Sequence, residues 1–187
     1  MVEMPEALLA ERRRHGHDRW DEMWEGLLHV VPPPSARHQR IEGRFVMVLG
    51  PLAEARGLVV LPQAGLFRPG TDRDYRVPDL LVARPEHVRE RGVEGPAELV
   101  VEIRSPGDET YEKLPFYGEL GCREVLVVDR DSLALELFVL RGGTLHAALP
   151  DEAGRLRLQS LGVTVSTTDR PSVRVEWEGD GADVEPA

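Results

Sequence analysis

Three short runs constrain the fold more than any other feature of this chain: VPDLLVA at 77–83, AELVVEIR at 97–104 and EVLVVD at 124–129. Each is almost wholly apolar and too short for an ordinary helix. Such runs suit strands buried on both faces of a sheet, and a sheet of that kind needs covering layers. After the second run, Ser105, Pro106 and Asp108 match an N-cap, a proline at the first helical position and an acid at the third. Leu114, Tyr117 and Leu120 then point inward, and Gly121 supplies a left-handed stop. The fold class is α/β: a mixed, twisted sheet flanked by helices, with extra antiparallel strands toward the C-terminal end.

The remaining segments fit around that sheet. Residues 1–19 read as an N-terminal charged extension with a short helix, where His15 and His17 suit a solvated surface better than a metal. Leu27 to Val31 reads as a strand stopped by Pro32, Pro33 and Pro34, which cannot feed a ladder. Ser35 caps a helix through about Arg56, whose stripe Ile41, Phe45, Val48, Leu49 and Leu52 has helical period. Pro51 should kink or shorten it. From Gly57 a strand breaks near Pro62, and 85–96 reads as a surface excursion. Gly142-Gly143 marks a hairpin, and further short strands fall near 155–161 and 172–177. The last segment, GDGADVEPA at 179–187, has the composition of a disordered tail. That leaves one domain over 20–178, and a chain of 187 residues can bury roughly 70% of its unfolded surface.

Charge limits the partners. The net charge is −10, whereas a protein gripping a long duplex by charge alone should be basic. Nucleic-acid contact must therefore be local, metal-bridged or weak, and the acidity suits a site that concentrates a divalent cation. The 23 basic residues comprise 22 arginines and a single lysine, Lys113. No apolar run approaches the ~18 residues needed to span a bilayer. The single cysteine, Cys122, fits a reducing compartment. The expectation is a cytoplasmic protein with no membrane partner.

Asp79 opens one apolar strand, Glu102 interrupts the next, and Lys113 follows on the adjoining helix. Carboxylates are rarely buried unless paired or ligating. Two of them from adjacent strands make a hard oxygen site for Mg²⁺ or Mn²⁺, and a nearby ammonium would stabilise charge developing on a phosphodiester. Each residue also has a plainer reading. Asp79 could begin a turn, Glu102 could pair with Arg76, Arg104 or Arg123, and Lys113 could pair with Glu109 on a helix surface, worth only ~0.2–0.5 kcal/mol. His38 and Glu42, four apart on one helix face, read first as an exposed polar pair and second as accessory site residues.

The layout P-D, then VVEIRSPGDE, then K-x-x-F-Y-G-E-L-G-C-R-E-V-L-V-V-D, with WEGLLHVVPPPSARHQRI upstream, resembles the Uma2 family over roughly residues 20 to 141. That family, formerly a domain of unknown function, lies in the PD-(D/E)XK nuclease superfamily. The resemblance implies a restriction-endonuclease-like fold and a divalent-metal-dependent endonuclease or phosphodiesterase using Mg²⁺ or Mn²⁺. It implies Asp79 and Glu102 as metal carboxylates, with the Ile103 carbonyl as a further ligand. The superfamily's usual lysine, two residues after the glutamate, is Arg104 here, a poor proton acceptor that stands with His38 and Glu42 as an accessory candidate. The resemblance implies that its role has passed to Lys113, and His38 also matches a position commonly polar in the family. Enzymes of this fold often pair to cut two strands, which makes a homodimer a candidate assembly. Two alternatives stay open: a catalytically inactive member of the fold used for binding or assembly, and a hydrolase of smaller phosphate esters.

Overall fold

The computed structural model describes residues 5–16, 20–170 and 172–186. His17 lies outside them. The chain opens with helix α1 (Glu6–Arg14) and a hairpin of β1 (Glu22–Trp24) and β2 (Leu27–His29). The long helix α2 (Ala36–Glu54) follows, then β3 (Val59–Pro62), β4 (Gly65–Phe67), β5 (Tyr75–Arg76) and β6 (Leu80–Ala83). A small hairpin of β7 (Val88–Arg89) and β8 (Gly92–Glu94) leads into β9 (Leu99–Arg104), helix α3 (Leu114–Leu120) and β10 (Glu124–Asp129). The rest is antiparallel: β11 (Leu135–Arg141), β12 (Thr144–Ala147), β13 (Leu156–Leu158), β14 (Val163–Thr167), β15 (Val173–Trp177) and β16 (Asp180–Val184).

The three apolar runs form the middle of a six-stranded sheet of order β12-β11-β10-β9-β6-β3. Strands β9 and β10 pair in parallel across the α3 crossover, and β6 pairs antiparallel to β9. Alternation splits β9 between two cores. Leu99, Val101 and Ile103 pack with Ile41, Phe45 and Leu49 of α2, which the four-stranded sheet β13-β14-β15-β16 covers with Val165 and Val175. Val100 packs on the opposite face with Phe116 and Tyr117 of α3 and with Leu66 and Val93 of a third sheet, β2-β1-β5-β4-β8-β7. The α/β architecture with a mixed sheet, flanking helices and extra antiparallel strands is the expected one.

Several segments differ from expectation for local reasons. Helix α2 begins after Ser35, whose side chain accepts from His38 N, but ends at Glu54. Pro51 is carried inside it, four residues after the exposed Met47 whose carbonyl it cannot bond. No helix begins at Ser105. Gly107 sits at φ 80°, and the Asp108 carboxylate accepts from Ser105 N and Thr110 N, so 105–110 is a loop. A 3₁₀ turn at Tyr111–Lys113 precedes α3, which does stop at left-handed Gly121. The surface excursion holds β7 and β8, with Val93 fully buried. Gly92, at φ 143°, is needed there: a Cβ would come within 2.2 Å of the Gly65 carbonyl oxygen across the parallel β4–β8 pair. Finally, the tail expected to lack structure contains β16, which pairs with β15 and buries Val184.

Candidate active site

Asp79 stands where β6 meets β9 and the ladder between them ends. Extending the register from Leu80 opposite Val101 brings it level with Glu102. Its Oδ2 accepts from Ile103 N at 2.6 Å, and its carbonyl accepts from Gln63 N. Asp79 is thus fixed at the strand end by the two neighbouring strands.

Glu102 occupies the α3-facing side of β9 and is 3% exposed. There the Tyr117 hydroxyl donates to its Oε1 at 2.5 Å, and Lys113 Nζ lies 3.2 Å from the same atom. Lys113 lies even closer to Glu22 of β1, at 2.8 Å. The sequence reading did not single out Glu22. Glu22 is one of three acids, with Asp21 and Glu25, in the stretch Trp20 to Leu28, and nothing in the sequence sets it apart from the other two.

Helix α2 supplies the other wall. His38 Nε2 is 2.7 Å from Asp79 Oδ1, and Glu42 Oε2 accepts from the amides of Gln39 and Gln63 at 2.8 and 2.9 Å. Both side chains are buried, not exposed as first expected. Ligand atoms of His38, Glu42 and Asp79 lie within 4.8 Å of one another. A signal was available, because His38 and Glu42 lie in phase with Ile41 and Phe45 on the apolar stripe.

The plainer partners are accounted for elsewhere. Arg76 bonds Asp74, Arg123 bonds Glu98, and Glu109 bonds His29 at 2.8 Å. Arg104, proposed as an accessory group, instead reaches Asp129 at 2.6 Å and lies against the Tyr111 ring. As the last residue of β9, it points past the site. Ile103 commits its N–H to Asp79 and lines the cleft.

That cleft, about 760 Å³, runs between the proline strap Val30–Ser35 and the loop Ser105–Thr110. Asp79, Glu102, His38 and Lys113 all line it. Burial pushes the Glu102 carboxyl up to about 7; the Lys113 charge opposes this, while Asp79 and Glu22 add to it. Burial opposes the Lys113 charge, but Glu102 and Glu22 outweigh it and raise its pKa. For His38, burial is likewise overcome by Asp79, with Glu42 and Glu102 adding, so its pKa is raised. The Glu42 pKa is raised by burial and then by the charge of Asp79. At this end of the cleft Glu22, Glu42, Asp79 and Glu102 gather around Lys113 and His38. This excess of hard oxygen donors, with one imidazole, fits a divalent cation.

A family model, Uma2, described as "Putative restriction endonuclease", matches residues 7–168. A solved structure described as "a putative nuclease belonging to DUF820", from Anabaena variabilis, is similar at a TM-score of 0.62 and 17% identity, covering 76% of this chain and 83% of that one. At that identity the likeness concerns the fold, which is restriction-endonuclease-like. No curated protein matches the chain. Among the described residues no helix is long and apolar enough to cross a membrane.

Proposed function

The chain belongs to the Uma2 family, and we propose on that premise that it hydrolyses nucleic-acid phosphodiester bonds with a divalent cation, Mg²⁺ or Mn²⁺. Asp79 and Glu102 would hold the cation from the two strand ends, with His38 and Glu42 closing the donor set from α2. A cation held by these residues would supply polarisation of a phosphoryl oxygen and a more acidic bound water.

The chain's own groups do the rest. Lys113 is kept charged by Glu22 and Glu102, and an ammonium fixed at the cleft wall stabilises negative charge as it builds on the phosphoryl oxygens. Tyr117 and Lys113 together hold the Glu102 carboxylate in one orientation. Ile103 N does the same for Asp79. Arg104 takes no part, since it faces Asp129 and cannot accept a proton.

The observation that carries this reading is the convergence of Asp79, Glu102 and Lys113 on one cleft, with Lys113 3.2 Å from Glu102. Incubation of the protein with DNA and RNA in single- and double-stranded forms, with and without Mg²⁺ or Mn²⁺, tests it. Cation-dependent cleavage lost on Asp79→Ala or Glu102→Ala is expected; cleavage indifferent to both substitutions would sink the reading. The net charge of −10 favours a second reading, a binding protein that keeps the fold without turnover. It requires that no divalent-metal affinity depend on Glu102.

A further inference from the structure

We propose that Glu22 is the positioning residue for Lys113: from β1 it tethers the ammonium in the cleft, so that the ammonium's place does not depend on Glu102 alone. The inference rests on the reading of this cleft as hydrolytic.

Glu22 is 1% exposed, and a buried carboxylate is costly unless its oxygens are satisfied. Every bond it makes comes from a donor. Oε1 accepts from Val77 N at 2.9 Å and lies 2.8 Å from Lys113 Nζ, while Oε2 accepts from Trp24 Nε1 at 2.7 Å. The backbone and indole donors set the carboxylate's orientation, and the carboxylate sets the ammonium. Val77 N and Trp24 Nε1 hold one oxygen each and turn Oε1 toward Lys113 Nζ, so Glu22 is placed to anchor the ammonium.

The tether answers a problem specific to this chain. Position 104, two residues after Glu102, holds an arginine bonded to Asp129. The lysine instead comes from the 3₁₀ turn ahead of α3. A lysine side chain is long and flexible and loses rotamer entropy when its ammonium is fixed, and Glu102 alone would be a poor anchor because it must also serve the cation. A second carboxylate, on a different strand and 0.4 Å closer to Nζ than Glu102, keeps the ammonium in place.

Lys113 is the one lysine of the chain, so ¹⁵N-lysine labelling gives a single side-chain ammonium resonance. That resonance, Mn²⁺ affinity by calorimetry, and kcat and KM for cleavage are to be measured in wild type, Glu22→Gln and the milder Trp24→Phe. The tether requires that Glu22→Gln move and broaden the resonance and leave Mn²⁺ affinity within about tenfold. It also requires kcat to fall about 100-fold, the scale of a small misplacement, with KM little changed. Trp24→Phe should shift the resonance in the same direction by less, and it stands in if Glu22→Gln does not fold. A resonance unmoved in the folded variants overturns the proposal, as does Mn²⁺ affinity lost by more than about tenfold, which would make Glu22 a ligand. A wild type that binds Mn²⁺ but cleaves nothing contradicts the hydrolytic reading instead, and the resonance alone then decides the tether.

Discussion

His38 Nε2 and Asp79 Oδ1 are 2.7 Å apart, which joins the first turns of α2 to the point where β6 leaves its ladder with β9. One bond therefore couples the helix wall of the cleft to the strand that carries the first carboxylate. His38→Ala is expected to weaken Mn²⁺ binding about 10–100-fold, the usual cost of losing a group that ligates or orients a ligand. Calorimetric titration with Mn²⁺ checks it, and unchanged affinity would remove His38 from the site.

The pH dependence follows from Glu102. Its folded-state pKa is raised to about 7 by burial, so below that pH the metal-free protein holds a proton that a cation must displace. Mn²⁺-induced stabilisation should therefore grow as pH rises toward 7 and level off above it. In the metal-free protein the sign is opposite. The raised pKa contributes stability present below the unfolded carboxylate pKa and lost as pH rises through about 7. Lys113, whose pKa is raised, keeps its contribution throughout that window. Melting curves at several pH values, with and without Mn²⁺, measure both trends.

Much of this could be read from residues alone. The strands bearing Asp79 and Glu102 were legible because runs such as LLVA and LVVEI are too short for an ordinary helix and suit a doubly covered sheet. Lys113 stood out as the single lysine. Where the reading failed, competing local chemistry decided. Ser105, Pro106 and Asp108 look like a helix start, but Asp108 folds back on Ser105 N and Gly107 takes a left-handed conformation. Strands β4, β5 and β8 have only three, two and three residues, too few for periodicity to register. The β16 segment is polar and glycine-containing, and it is ordered by its ladder with β15, not by its composition. Glu22 was hidden because its partner Lys113 is 91 residues away in sequence.

The position of Arg104 gives a swap experiment. Arg104→Lys restores lysine to the superfamily's usual place, yet the side chain at 104 leads toward Asp129 and Tyr111. Arg104→Lys is therefore expected not to rescue cleavage in a Lys113→Ala background. Recovery to within about tenfold of wild type would mean that a lysine at 104 can reach the reacting phosphate.

Phe45 is fully buried where α2 lies between the central sheet and the C-terminal sheet. Phe45→Ala should cost about 3–5 kcal/mol, lowering the melting temperature by about 2–4 °C per kcal/mol in a chain of this size. Because α2 carries His38 and Glu42, Mn²⁺ should recover part of that loss. Thermal unfolding with and without the ion reads it.

The proposed cation-dependent phosphodiesterase centre is built on Asp79 and Glu102. Its most direct test is the rate of Mn²⁺-dependent nucleic-acid cleavage by wild type, Asp79→Asn and Glu102→Gln, on protein shown to be folded. The expected result is cleavage by wild type that stops on chelation and falls at least about 100-fold in each variant. Cleavage that survives both substitutions, or its absence from wild type on every substrate tried, would contradict the claim.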